Sequence, residues 1–292
     1  MSLMDIIGKR RIFFVTGKGG TGKSTYTVAI GRLASEHYKT LVLDFDNKRS
    51  TLREILRASS LSAEPQKVGE NLYFSHIEPD EALRYYLKDF IRSDFLINIS
   101  LNLKPLKSFY NALPSAKEML VCYFLLHLVK DFDFEKIFID MPASGHAELF
   151  FKIPIAAKGI FNKGPVIAIV NEMNKHLYSR DRSCVIQIAL PDEVVISETM
   201  EFYERFKAIE YIDVQAIVVN KRYRIANTGG ICEGLEKEEE LIRLYNYYAR
   251  KSQEEGDLVS DLRKRTGVSI FEVPFFPVRA PVDNIVSFLK DL

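Results

Sequence analysis

Residues 17–25 read Gly17-Lys18-Gly19-Gly20-Thr21-Gly22-Lys23-Ser24-Thr25, which satisfies the spacing G-x-x-x-x-G-K-[ST]. Glycines at these places let the backbone turn its N–H groups onto a β-phosphate, and a helix opening at the loop adds partial positive charge. In such a pattern Lys23 reaches the β/γ-phosphates and the Ser24 hydroxyl ligates Mg²⁺. All nine residues, Thr25 included, are candidate nucleotide contacts. A chance glycine-rich turn is the alternative, and the flanking sequence argues against it. Arg11-Ile12-Phe13-Phe14-Val15-Thr16 has the composition of a buried strand, and residues 24–37, with Val28, Ala29, Ile30 and Leu33, read as a helix.

Binding phosphate is one task and hydrolysis another. Asp140 closes the apolar run Lys136-Ile137-Phe138-Ile139, an arrangement that holds Mg²⁺, commonly through its water. Asp44 and Asp46 follow Thr40-Leu41-Val42-Leu43, and alternation points both the same way, toward the phosphates if the strand stops there. Asp46 is the candidate for orienting an attacking water. Capping of a following helix is the competing reading for either strand-end aspartate. Lys18 is a second loop lysine, too near the loop's start to fold easily onto its own γ-phosphate. Projecting outward, it could supply transition-state charge to the nucleotide of a facing subunit; a solvated surface lysine is the alternative.

These residues need a scaffold that brings strand ends together. The strand Thr40–Asp44 completes a βαβ unit with the first strand and helix. Further strands are expected at Leu72–Ile77, Lys136–Asp140, Val166–Val170, Val185–Leu190, Val214–Asn220 and Val268–Val273, with helices such as Ile196–Ile209 and Ile285–Leu289 among them. The alternation predicts an α/β fold, doubly wound, with a mainly parallel sheet covered by helices on both faces and ligands at the strands' carboxyl ends. Between the strands lies a helical insertion, about residues 78–134. Leu83, Tyr86, Leu87, Phe90 and Ile91 make an amphipathic face, followed by apolar clusters from Phe95 to Leu113 and from Met119 to Val129. These helices could cover the core or offer a surface to something apolar. Glu236–Glu240 opens a further helix as a solvated face, with Glu239 placed to pair with Arg243. Asn227-Thr228-Gly229-Gly230 reads as a mobile loop. No interdomain linker is evident, so one domain over 1–292 is expected.

Composition excludes several classes. Among 292 residues, 47% are hydrophobic and 27% charged, and the net charge is +1, so no global basic field argues for nucleic acid. Three scattered cysteines fit a reducing compartment better than a disulfide framework. Five histidines, His146 among them, show no metal-ligand spacing. No secretory leader opens the sequence, and Met1-Ser2-Leu3 could be an appended scar. The apolar run Met119–Leu126 is shorter than the ~20 residues a bilayer span needs. A soluble, cytoplasmic protein is expected.

Lys18 to Ser24, as K-G-G-x-G-K-[ST], resembles the deviant phosphate loop of septum-placing, chromosome-partitioning, nitrogenase-iron and arsenite-pump ATPases. Asp140-Met141-Pro142-Ala143-Ser144-Gly145-His146 is similar to D-T-A-P-T-G-H, the second switch of the arsenite-transporting ATPase family, which includes the targeting factor for tail-anchored membrane proteins. Leu190-Pro191-Asp192-Glu193 with Ser197-Glu198-Thr199, Val218-Val219-Asn220 and Val273-Pro274-Phe275-Phe276-Pro277 are similar to further family segments. The resemblance implies Lys18 as a cross-subunit lysine, Asp46 as the water-activating acid, Asn220 on adenine, and Glu198 touching nucleotide from the partner subunit. Where guanine readers carry the aspartate of N-K-x-D, this chain has Tyr223, which cannot accept from guanine as a carboxylate does; ATP is favoured. Departures are Asp46-Asn47-Lys48 in place of D-P-A, the early Pro142, Met141 in place of threonine, and the lack of C-x-x-C seen in eukaryotic targeting factors.

The expectation is an ATP- and Mg²⁺-dependent ATPase that works as a homodimer and couples turnover to a hydrophobic protein segment or a membrane-protein partner. A positioning ATPase of the septum or partition type, or a non-hydrolysing nucleotide switch, are the rival expectations. The C-terminal Ser287–Leu292 is short and weakly charged, which counts against membrane positioning, and near-zero net charge against nucleic acid.

Overall fold

A computed structural model describes residues 1–45, 50–104, 115–225, 239–276 and 282–292. The first helix, Leu3–Lys9, has Ser2 as its N-cap, in a capping box with Asp5, so the opening residues belong to the folded structure. The first strand follows, β1 (Ile12–Gly17). Alternate side chains point to opposite sides and both sides are covered: Ile12 and Phe14 enter one apolar layer, Phe13 and Val15 the other. Such a strand must be apolar along most of its length, as β1 is from Ile12 to Val15. The same holds for β2 (Thr40–Asp44), while β3 (Gln66–Lys67) is a two-residue edge and β4 (Leu72–His76) its neighbour. The remaining strands are β5 (Lys136–Asp140), β6 (Ser183–Ala189), β7 (Val214–Arg222) and β8 (Ser269–Pro274).

They form one eight-stranded sheet in the order β3-β4-β2-β5-β1-β6-β7-β8. Every pairing is parallel except that of β3 with β4. The chain leaves β1 toward one edge, returns to β5, then builds the opposite edge from β6 onward. β1 therefore sits at the point where the winding reverses, where a doubly wound sheet opens a crevice at its carboxyl end.

Among the described residues, three helices lie between β4 and β5: Pro79–Lys88, Asp94–Asn102 and Ala116–Asp131. They differ in how far they are buried. Ala116–Asp131 is core, with Leu120 to Leu126, Leu128 and Val129 all buried. Asp94–Asn102 buries only Ile97 and exposes Phe95, Leu96 and Ile99, with Leu103 just beyond. Residues 105–114, part of the second apolar cluster, lie outside the described residues, as do 227–230 and Glu236–Glu238. Glu239 does pair with Arg243, at the head of a 28-residue helix, Glu239–Thr266.

One expected strand is not a strand. Val166–Val170 lies within the helix Pro165–His176. Five consecutive apolar residues suit a buried strand or a buried helix segment equally. The deciding signal is Gly164-Pro165: Gly164 has φ +108°, and proline at the first helical position starts the helix at little cost.

Lys136, at the start of β5, is a buried cation with a structural task. Its ammonium donates to the carbonyls of Ile7 (2.6 Å), Gly8 (3.2 Å) and Arg10 (2.7 Å) and lies 4.4 Å from the Tyr38 ring centroid. It thus closes the C-terminus of the first helix, where carbonyls lack partners. Lys136→Met should lower unfolding stability by about 2–3 kcal/mol, the range for losing hydrogen bonds to a charged group. A urea titration would show a lower midpoint at unchanged slope.

Candidate functional site

Every described candidate residue lies at the carboxyl edge of the sheet, around the end of β1. Gly17 ends that strand at φ +151°, and a Cβ there would sit 2.1 Å from the Ile188 carbonyl oxygen of β6. Only glycine lets the chain leave the strand so close to its neighbour. Gly22, at φ +100°, is the N-cap of the helix Lys23–Ser35, and no side chain caps that terminus. Its N–H groups are thereby left facing the loop, the arrangement that receives an anion. Gly19 and Gly20 are exposed, Thr21 is buried, and Thr25 lies in the first helical turn.

The two lysines share a tie. The Lys23 ammonium donates to the Lys18 carbonyl at 3.3 Å, which also accepts from the Thr21 hydroxyl at 2.9 Å. The Lys18 ammonium is 2.6 Å from Glu198 Oε1 of the same chain, on the helix Glu193–Phe206.

Beside the loop, Ser24 Oγ donates to Asp140 Oδ2 at 2.6 Å and Thr27 Oγ1 to Asp140 Oδ1 at 3.1 Å. Burial pushes the Asp140 carboxyl up to about 7; the Asp44 charge adds to this, whereas the two hydroxyls and Lys23 act the other way. A buried carboxylate beside a hydroxyl, resisting ionisation because burial penalises its charge, is a fitting ligand set for a hard divalent cation. Among the described residues no cluster of three or more His, Cys, Asp or Glu could hold a metal by itself. Mg²⁺ takes one or two protein oxygens and completes its shell with water and phosphate. Ser24 and Asp140 would hold it there.

Asp44 aligns with Asp140 on β5 and with His76 on β4. All three are buried, and His76 Nδ1 is 3.6 Å from Asp44 Oδ2. Asp46 lies outside the described residues. A cavity of about 280 Å³ adjoins Asp140, lined among others by Phe45, Lys117, Val121, His146 and Phe150. It places the segment that follows β5 against the helix Ala116–Asp131.

Asn220, at the end of β7, is engaged with the loop: Oδ1 accepts from the Tyr26 hydroxyl at 2.8 Å and Nδ2 donates to the Thr21 carbonyl at 2.9 Å. The amide keeps one further donor hydrogen and one acceptor lone pair. Tyr223 stacks on Phe275 at a centroid distance of 4.9 Å, and its N–H donates to Glu255, which also pairs with the buried Arg222.

Sequence reasoning missed Thr27, Tyr26 and His76. Thr27 had a signal, since it lies one helical turn after Ser24 and shares its face. Tyr26 and His76 had none, because their partners are more than thirty residues away or on another strand.

A glycine loop leaving the central strand of a doubly wound parallel sheet, with a serine and a strand-end aspartate beneath it, defines a P-loop nucleoside triphosphatase fold. Within that class, the family model described as anion-transporting ATPase matches residues 10–164, more than half of the chain, and the protein belongs to this family. Among curated proteins the chain is similar to "Putative arsenical pump-driving ATPase 1" of Aquifex aeolicus, 24% identical over 73% of this chain and 54% of that protein. It is also similar to the ATPase BagA of Mycobacterium tuberculosis, 22% identical over 72% of this chain and 65% of the other. The match thus spans about half to two-thirds of the length of these relatives. No described helix is long and apolar enough to cross a membrane.

Proposed function

We propose that this protein binds ATP with Mg²⁺ and hydrolyses it as a nucleotide-closed homodimer that transmits the change to an apolar client or membrane-protein partner. The observation that carries the reading is the convergence of Lys23, Ser24 and Asp140 under an uncapped helix N-terminus. Backbone N–H groups of residues 19–24 cradle the phosphates, and the Lys23 ammonium moves from the Lys18 carbonyl onto them. Bound Mg²⁺ would neutralise the β/γ oxygens and thereby stabilise charge in transfer. Lys18 supplies a cation to the partner's nucleotide, Glu198 touches that nucleotide from across the interface, and Asp46 orients the attacking water. Asn220 keeps Thr21 in place and offers its spare donor and acceptor to adenine.

The coupling half of the proposal draws on two features. The cavity beside Asp140 is walled by the insertion, so a change in the second switch meets that helix directly. The helix Asp94–Asn102 exposes Phe95, Leu96 and Ile99, apolar surface of the kind that marks an interaction site.

Phosphate release measured with ATP and with GTP is the test. ATP turnover that requires Mg²⁺ and disappears in Lys23→Ala is expected, with GTP a poorer substrate. Tight ATP binding without phosphate release would replace this reading with the non-hydrolysing switch.

A further inference from the structure

We propose that Glu198 is a latch that parks Lys18 on its own chain, and that nucleotide entering the loop releases it. This rests on the reading above, in which Lys18 acts on a partner's nucleotide. The Lys18–Glu198 pair is short, 2.6 Å, yet its side chains are 36% and 43% exposed. An ion pair so open to water is weak and exchangeable, as a latch must be. Glu198 is a firm holder. Its helix is anchored on either side of it by the buried Val195, Ile196, Thr199 and Phe202, and the Thr199 hydroxyl bonds back to the Val195 carbonyl. Lys18 is the movable partner, on a loop whose next two residues are exposed glycines.

The release follows from the other bonds of Lys18. Its carbonyl accepts from the Thr21 hydroxyl (2.9 Å), the Thr21 N–H (3.4 Å) and the Lys23 ammonium (3.3 Å). Side chain and main chain of one residue are thus both tied within the protomer. A phosphate oxygen competes for the Lys23 ammonium with a full charge against a neutral carbonyl, and the charge-assisted bond is the stronger. Drawing Lys23 away removes a donor from the peptide that carries Lys18, and the anion reorients the same loop's N–H groups. Occupancy of a protomer's own site thereby frees the lysine meant for its neighbour. An empty protomer withholds its lysine, so closure is favoured only between loaded chains.

The test is site-specific acetylation of Lys18 by an amine-reactive ester, read by peptide mass spectrometry. It compares wild type, Glu198→Gln and a same-helix control, Glu201→Gln, each with and without Mg²⁺ and ADP. Without nucleotide, Glu198→Gln should raise Lys18 labelling by about two- to five-fold, the range an exposed ion pair supports, and Glu201→Gln should not. ADP should raise wild-type labelling to a similar level and change Glu198→Gln little. Equal Lys18 labelling in wild type and Glu198→Gln, or an equal rise in Glu201→Gln, overturns the latch. Calorimetry on the same samples separates the two ideas. Absence of ADP binding by wild type sinks the proposed function, whereas binding with unaltered Lys18 labelling sinks the latch alone.

Discussion

Lys18→Ala is expected to bind ATP within a few-fold of wild type while losing nucleotide-dependent dimerisation and about 10³-fold or more in kcat. The magnitude is that of removing a cation supplied in trans to a phosphoryl-transfer transition state. Ground-state affinity survives because Lys23 and the loop N–H groups remain. The Lys18 side chain is tied away from its own phosphate site, to Glu198 on a separate helix. Sedimentation with a non-hydrolysable ATP analogue, alongside steady-state phosphate release, measures both halves. Full turnover in Lys18→Ala would remove the trans role.

The second large effect belongs to Asp140→Asn, which should abolish Mg²⁺-dependent turnover yet stabilise the metal-free fold at alkaline pH. With its folded-state carboxyl pushed up to about 7 from an ordinary 3.8, the native chain holds a proton that the unfolded chain has lost. Between those values stability falls as pH rises, and above about 7 the full cost of a buried, unneutralised carboxylate is present. Each pKa unit corresponds to 1.36 kcal/mol, so Asn should recover ~2–4 kcal/mol at pH 8 and little near pH 4. Added Mg²⁺ should stabilise wild type increasingly as pH rises and leave Asp140→Asn unmoved. Thermal unfolding from pH 5 to pH 8 in a chelating buffer tests this. A wild-type stability that rises across that interval would contradict the assignment of Asp140 as the buried carboxylate under the loop.

The site was readable wherever chemistry depends on residues close in sequence. The loop from Gly17 to Thr25, its strand and its helix are one local unit, and Asp140 announces itself by ending an apolar run. The Val166–Val170 run failed because five apolar residues carry no period, so local punctuation at Gly164-Pro165 decided against a strand. The engagement of Asn220 with Tyr26 and Thr21 was equally invisible, since it joins residues nearly two hundred positions apart. The resemblance implied an amide for adenine; it did not say that the amide holds the glycine loop.

From residue order alone came the phosphate-binding loop, the alternation of strands and helices, and the helical stretch inserted between β4 and β5, because each depends on periodicity or on neighbours within a turn or two. Tertiary structure alone decided the strand order that puts β1 at the winding reversal and the alignment of His76, Asp44 and Asp140 across three strands. It also decided that the extra lysine rests on Glu198 of its own chain. Those facts arise from packing distant segments against one another. Burial and Coulomb forces act through space, and distance along the chain does not record them.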